Sequence, residues 1–321
     1  MAIGPSQERL EDFRLCRPAC DRFKRWPVQT QLSISIAKAT GGKVDLPMPF
    51  FWYDPPWHLV DIDRASEVAR DIASQGIVVA ALHRDVSDSD DSDTSMFSPR
   101  MAPHRCDRAG WVFRDFQSAM ILDLRLALPV DADGAFAYDA KQLVRWRIPN
   151  DADAGDAFGR SDAMPFPPDW IGLEGMAAKV MQLRTLSTAA VFVSFDAFNL
   201  DKLLPAALAA NVDGVIASVD DDPLQTIVQT RKRLEQTPRP HQPELWITTR
   251  KSLSAEMAVK CFALGATGLG IDALCNDYLC NGDRAELSIA QWIRQVCGHA
   301  RACGVERLDK LRPEHLIHQS Q

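Results

Sequence analysis

The chain has 321 residues, 46% of them hydrophobic and 25% charged, with a formal net charge of −7. That is enough ordinary globular composition for one (β/α)8 barrel with extensions. The acidic balance and a pI of about 5.5 argue against a general nucleic-acid or acidic-membrane surface, where a basic face is expected.

The start, MAIGPSQERLEDFRLCRPAC, lacks the apolar core of a signal peptide, and no apolar run reaches membrane-spanning length. These features predict a soluble, cytoplasmic protein. Eight scattered cysteines predict reduced thiols rather than a disulfide framework.

In chain order, residues 1–45 read as a polar, basic-leaning arm with one helix. "LPMPFFWYD" begins the barrel as an aromatic strand. "DIDRASEVARDIASQG" follows as an amphipathic helix, with Asp61 or Asp63 at its cap and Gly76 at its end. The unbroken run "IVVAAL" predicts a buried parallel strand. A long polar loop then leads to "WVFRDF", read as the third strand. "AMILDLRLAL" is read as the fourth. Residues 129–170 are an irregular stretch rich in Asp, Gly and Pro, of the kind that forms functional lids or disordered inserts.

The later half alternates cleanly between helices and strands. The eight strand candidates are 47–53, 77–82, 111–116, 119–128, 189–195, 213–219, 244–249 and 267–271. Eight alternating units predict an α/β fold, a closed (β/α)8 TIM barrel over 46–285, with a two-helix extension over 286–321. The gap between the third and fourth candidates is short, because a parallel crossover needs about a dozen residues.

Four segments carry a family resemblance: "LPMPFFWYDPPW", "SAMILDLRLALP", "NVDGVIASVDDDP" and "FALGATGLGID". Together they resemble the FMN-binding barrel of the glutamate synthase family. The resemblance implies a flavin over the C-terminal ends of the strands and its phosphate across the last two. On that alignment Arg125 falls where the family has a lysine near the flavin, and Asp123 where it has a glutamate. Ser194, Thr248, Thr249, Arg250, Gly268 and Gly270 fall around the cofactor.

The strand ends depart from the family pattern. Pro55-Pro56-Trp57 replaces small residues, and Asp220-Asp221-Asp222-Pro223 replaces Gly-Gly-Thr-Gly. Thr248 and Thr249 stand for paired glycines, and Asp272 lies close to the expected phosphate. A carboxylate ~4 Å from a phosphate costs on the order of 4 kcal/mol at an effective dielectric near 20. These departures imply a lost FMN site, little or no oxidoreductase activity, and a binding or scaffold role with a protein partner or a second copy. The alternative is an active FMN-dependent oxidoreductase of glutamate synthase type, with Arg125, Asp123 and Lys141 as the residues to watch. A third reading is a different small anionic ligand held by Arg84, Arg125 and Arg250.

Other features favour plain readings. Cys275 and Cys280 sit where glutamate synthases hold an iron–sulfur cluster, but a C-x4-C pair with the next cysteine at Cys297 does not supply three placed thiolates. Cys16 and Cys20 share a helix face without a metal partner. The acidic run Asp88, Asp90, Asp91 and Asp93 lacks a calcium-loop glycine. His83 follows the second strand, where a general base is conceivable, but no second group pairs with it in the sequence, which favours an ordinary loop histidine. Trp26, Trp52, Trp57, Trp111, Trp146 and Trp170 read as packing residues, some of them filling the barrel mouth.

Overall fold

The computed structural model describes residues 8–18, 29–86, 97–104, 112–126, 137–138, 161–162, 173–237, 239–282 and 288–319. Strand β1 (Phe13–Leu15) is followed by a hairpin of β2 (Ile34–Ala37) and β3 (Lys43–Leu46). The barrel then begins with β4 (Phe50–Trp52), helix α1 (Ile62–Ser74) and β5 (Val78–Ala80). Helix α2 (His83–Val86), β6 (Arg100–His104), α3 (Phe113–Ser118) and β7 (Ile121–Arg125) come next. A two-stranded pair, β8 (Ala137–Tyr138) with β9 (Ser161–Asp162), lies between β7 and helix α4 (Met176–Leu186).

The second half runs β10 (Ala190–Asp196), α5 (Leu200–Ala209), β11 (Gly214–Val219) and α6 (Leu224–Gln236). It ends the barrel with β12 (Glu244–Thr249), α7 (Ala255–Ala263) and β13 (Gly268–Gly270). Helices α8 (Asp272–Asn281) and α9 (Ile289–Ala302) precede a last strand, β14 (Leu316–His318). The eight strands β4, β5, β6, β7, β10, β11, β12 and β13 close into a parallel barrel, as expected from the sequence.

Local chemistry explains the elements that the sequence predicted well. The Asp61 side chain caps α1 by accepting the Arg64 N–H at 2.8 Å. Ala65, Val68, Ala69, Ile72 and Ala73 form its buried stripe. Gly76 ends the segment at φ 89°, a left-handed conformation that glycine adopts without strain.

The barrel strands bury both faces. Outward residues such as Leu122 and Leu124 pack under the helices. Inward residues Phe51, Val78, Met101, Ile121, Phe192, Ile216 and Trp246 fill the interior. The β2–β3 hairpin closes the N-terminal end with Ile36, Val44 and Leu46, which belong to the same interior cluster. Glycines make this aromatic filling fit. A Cβ on Gly214 would meet the Phe192 ring at 2.4 Å, and one on Gly268 would meet Trp246 at 2.6 Å.

Three expectations need correction. The third strand is Arg100–His104, not 111–116, and "FRDFQS" is helix α3. The true strand carries arginine, proline and histidine, so it reads as loop, yet all five residues are buried. Arg100 can sit there because its Nη2 donates to Asp115 O and Ser118 Oγ, while Nη1 donates to Ala81 O. With α3 between β6 and β7, the missing crossover is accounted for. The N-terminal arm contributes strands, and the end of the tail is two short 3-10 turns and β14 rather than a second helix. β14 pairs antiparallel with β1.

Trp52 and Trp57 are packing residues, as expected. Trp52 faces outward, donates to Asn276 Oδ1 at 2.9 Å and lies 4.9 Å from the Trp57 ring. The large ring inside the barrel is Trp246, 4.7 Å from Phe51. Trp26, Trp111, Trp146 and Trp170 lie outside the described residues.

Candidate functional site

The C-terminal mouth of the barrel holds a buried polar network built on one guanidinium. Residues two apart on a strand share a face, so Asp123 and Arg125 of β7 both point inward. Arg125 Nε lies 3.1 Å from Asp123 Oδ2. Its Nη2 donates to Tyr53 O at 2.8 Å, and its guanidinium carbon sits 3.9 Å from the centre of the Tyr53 ring. Asp54 Oδ1 is 3.8 Å from Nη1. The Tyr53 hydroxyl donates to Ser194 Oγ at 3.0 Å.

Asp272, the first residue of α8, completes the network. Its Oδ1 accepts the N–H groups of Tyr53 and Asp54, at 3.1 and 2.7 Å. Its Oδ2 accepts the Thr248 hydroxyl at 2.9 Å. One carboxylate therefore ties the ends of β4, β12 and β13 together.

The site holds one guanidinium among three carboxyls. Burial pushes the Asp123 carboxyl up, against the pull of Arg125 and Ser194. Burial also pushes Asp272 up to about 6, against the Asp54 N–H and the Thr248 hydroxyl. Asp123 Oδ1 is buried and has no hydrogen bond of ordinary geometry among the described residues, although the Ser194 hydroxyl lies near enough to the carboxyl to act on it. A buried acceptor without a donor is costly and often marks a place where a ligand donor belongs.

Of the residues singled out from sequence, Asp123, Arg125, Ser194 and Thr248 converge here. Thr249 is buried too, but its hydroxyl donates to Asp221 O at 3.3 Å on the loop side. Arg250 is 79% exposed, 3.4 Å from Asp220, and Lys251 pairs with Asp221. Gly268 and Gly270 face the interior. A Cβ on Gly270 would come 2.4 Å from Thr248 Oγ1 and 3.0 Å from Asp272 Oδ2. Lys141 lies outside the described residues. Arg84, Arg125 and Arg250 each pair with a different carboxylate, those of Asp85, Asp123 and Asp220.

Sequence reasoning missed Tyr53 and Asp54 altogether and read Asp272 only as an obstacle to phosphate. The available signal was a carboxylate directly after the last strand, where a helix starts. Just before α6, Asp222 Oδ1 accepts the Leu224 N–H at 2.8 Å.

Elsewhere on the same face, the His83 Nε2 lies 3.5 Å from Arg114 Nη1. The His83 backbone N–H donates to Asp115 Oδ1 at 2.8 Å. Cys275 is buried in α8, with its thiol pushed well up by burial, while Cys280 is exposed. Among the described residues no three His, Cys, Asp or Glu side chains group as a metal site. No helix among them is long and apolar enough to cross a membrane.

No protein-family model matches the chain, and no curated protein matches it. Solved structures do. The monotopic membrane protein (S)-mandelate dehydrogenase superposes with a TM-score of 0.58 at 15% identity, over 96% of this chain and 89% of that one. A mutant flavocytochrome b2 with benzoylformate gives 0.60 at 13%, over 96% and 76%. The flavin-binding domain of baker's yeast flavocytochrome b2 gives 0.55 at 13%, over 97% and 77%. The chain has their barrel fold.

This overturns the glutamate synthase resemblance, because the solved barrels that superpose are those of mandelate dehydrogenase and flavocytochrome b2. The short motifs misled for a physical reason. A Cβ at Gly268 would run into Trp246, and one at Gly270 into Thr248 and Asp272, so packing alone already requires glycine at both positions. The expectation of a disabled, scaffold-like barrel falls with it, since it was measured against glutamate synthase strand ends.

Proposed function

We propose that this chain is an FMN-dependent oxidoreductase that interconverts a small 2-hydroxy acid and the corresponding 2-oxo acid. The observation that carries the reading is the buried Oδ1 of Asp123, without a hydrogen bond of ordinary geometry, beside the Arg125 guanidinium, in a barrel that superposes on the flavin-binding domain of flavocytochrome b2.

A flavin ring presents one imide N–H between two carbonyl oxygens. Asp123 Oδ1 is an acceptor of the right kind for that N–H, and Arg125 is a fixed cation suited to the adjoining oxygen. Bound FMN would supply the capacity to accept two electrons from the substrate carbon.

The phosphate would be held through side chains. Asp272 already takes the Tyr53 and Asp54 N–H groups, so the start of α8 is not the phosphate seat in this reading. Thr249, Arg250 and Lys251 offer a hydroxyl and two cations at the end of β12. Their present ion pairs are largely exposed, contribute little, and can exchange for a dianion. For the substrate, His83 offers a base for the hydroxyl proton, and the neighbouring Arg114 offers a cation for the carboxylate.

The test is purification in the presence of FMN followed by anaerobic addition of lactate or mandelate. Yellow protein that releases FMN on denaturation, and whose flavin absorbance bleaches with a hydroxy acid, is the expected result. Ligand at a hundred times its Kd stabilises by about 2.7 kcal/mol. Colourless protein with no thermal shift on added FMN would therefore overturn the reading.

A further inference from the structure

The N-terminal face of the barrel, opposite the mouth, carries a cavity of ≈ 770 Å³. That size is typical of small-molecule sites. It lies where β4, β12 and β13 begin, with Pro49, Glu244 and Thr267 along its wall, and it is closed by the outer face of α6 and by the tail at 307–313. Nothing in the proposed oxidoreductase chemistry uses it.

Its composition is two-sided. Its accessible apolar lining is Val228, 42% exposed, with the half-buried Ile34 and Leu264, over the buried Phe262, Leu308 and Leu311. The rim carries four cations, Arg231, Lys232, Arg307 and Arg312, against three acids, Glu235, Glu244 and Asp309. Arg231 is taken by Glu235 at 3.2 Å and Arg307 by Asp309 at 2.7 Å. Arg312 Nη1 donates to the carbonyls of Asp309 and Leu311. Lys232 has no ion pair among the described residues and stands at the rim, exposed.

The charge balance favours an anion over a cation. Arg231 and Arg307 are each matched by a carboxylate. Glu244 is held by Thr267 and Arg231 while burial pushes its carboxyl up. Lys232 is the cation left without an ion pair among the described residues.

We propose that this cavity is a second binding site, for a small amphipathic anion whose apolar body lies on Val228, Ile34 and Leu264 and whose head group meets Lys232. A free lysine ammonium over an apolar floor binds an anionic head without breaking an existing pair. The site is separate from the mouth, so its occupancy does not depend on the flavin reading.

The probe is 8-anilinonaphthalene-1-sulfonate, an apolar body with one fixed negative charge, titrated by fluorescence against the full chain. Saturable binding at one site per chain is expected, displaced by decanoate or decyl phosphate at least ~10-fold more effectively than by decanol. The tighter of the two anions assigns the head group. Lys232→Glu should weaken decanoate at least ~10-fold while Lys232→Arg stays within about twofold, because only the charge changes sign in the first. The melting temperature of each variant shows that it is folded. The proposal is overturned if the probe does not saturate, if decanol competes equally, or if folded Lys232→Glu binds as the parent does.

Discussion

Arg125 Nε stands 3.1 Å from Asp123 Oδ2, two residues along one strand, with the guanidinium only 5% and the carboxylate 0% exposed. A buried pair of this kind is weak evidence of stability, but breaking it from one side is costly. Arg125→Met leaves the Asp123 carboxyl without its cation and should cost about 3 to 5 kcal/mol, read as a lower urea midpoint. Replacing both, as Asp123→Leu with Arg125→Met, should recover most of that loss. A single variant that unfolds at the parent's midpoint would show that the pair is not held as described.

Asp272 gives the pH dependence. Its carboxyl is raised from 3.8 to about 6 by burial. The folded chain therefore binds this proton more tightly than the unfolded chain. Its contribution is complete below about pH 4 and is lost as pH rises through about 6, by roughly 3 kcal/mol for a two-unit difference. Asp272→Asn keeps an acceptor for the Tyr53 and Asp54 N–H groups and removes the titration. It should be the more stable protein above pH 7 and should lose the slope between pH 4 and 7 in urea melts.

The glycines make opposite predictions. Gly268→Ala drives a Cβ into Trp246 at 2.6 Å and should destabilise by about 1 to 3 kcal/mol through overpacking. Gly298, inside α9, has nothing within 4 Å of a built Cβ. Gly298→Ala should stabilise by about 0.5 to 1 kcal/mol through helix propensity. Paired thermal melts check both signs in one experiment.

Asp213 anchors the β2–β3 hairpin to the barrel. Its carboxylate accepts the N–H groups of Ala39 and Val191 and an Arg184 Nη2 donor at 2.7, 2.8 and 2.8 Å. Asp213→Ala strands two backbone donors and a guanidinium, and should cost about 3 kcal/mol or more. Hydrogen exchange should rise first at residues 34–46. Equal protection in parent and variant there would rule out the anchoring role.

The barrel was legible because burial on both faces writes unbroken apolar runs such as "IVVAAL" and "AAVFVSF", and because Asp61 and Gly76 mark the ends of α1 in ordinary ways. The third strand was hidden. Arg100 and His104 are polar by type, and only the contacts of Arg100 with Ala81, Asp115 and Ser118, distant in sequence, allow them to be buried.

At the mouth, Asp123 and Arg125 were readable from the period of two along a strand. Asp272 was not, because its partners Tyr53 and Asp54 lie more than 200 residues away. Sequence spacing carries no trace of that meeting. The family assignment failed for a related reason. Short glycine motifs at strand ends record how large the neighbouring rings are as readily as they record a cofactor.

The hairpin at 34–46 is a stopper. With Ile36, Val44 and Leu46 pressed against the inner layer, the barrel is a cup rather than a tube. Among the described residues, a ligand beside Arg125 has its way in and out at the C-terminal end of the strands. A molecule lodged beneath the cup, by Lys232, cannot trade places with one above it. The two compartments communicate through the wall or not at all.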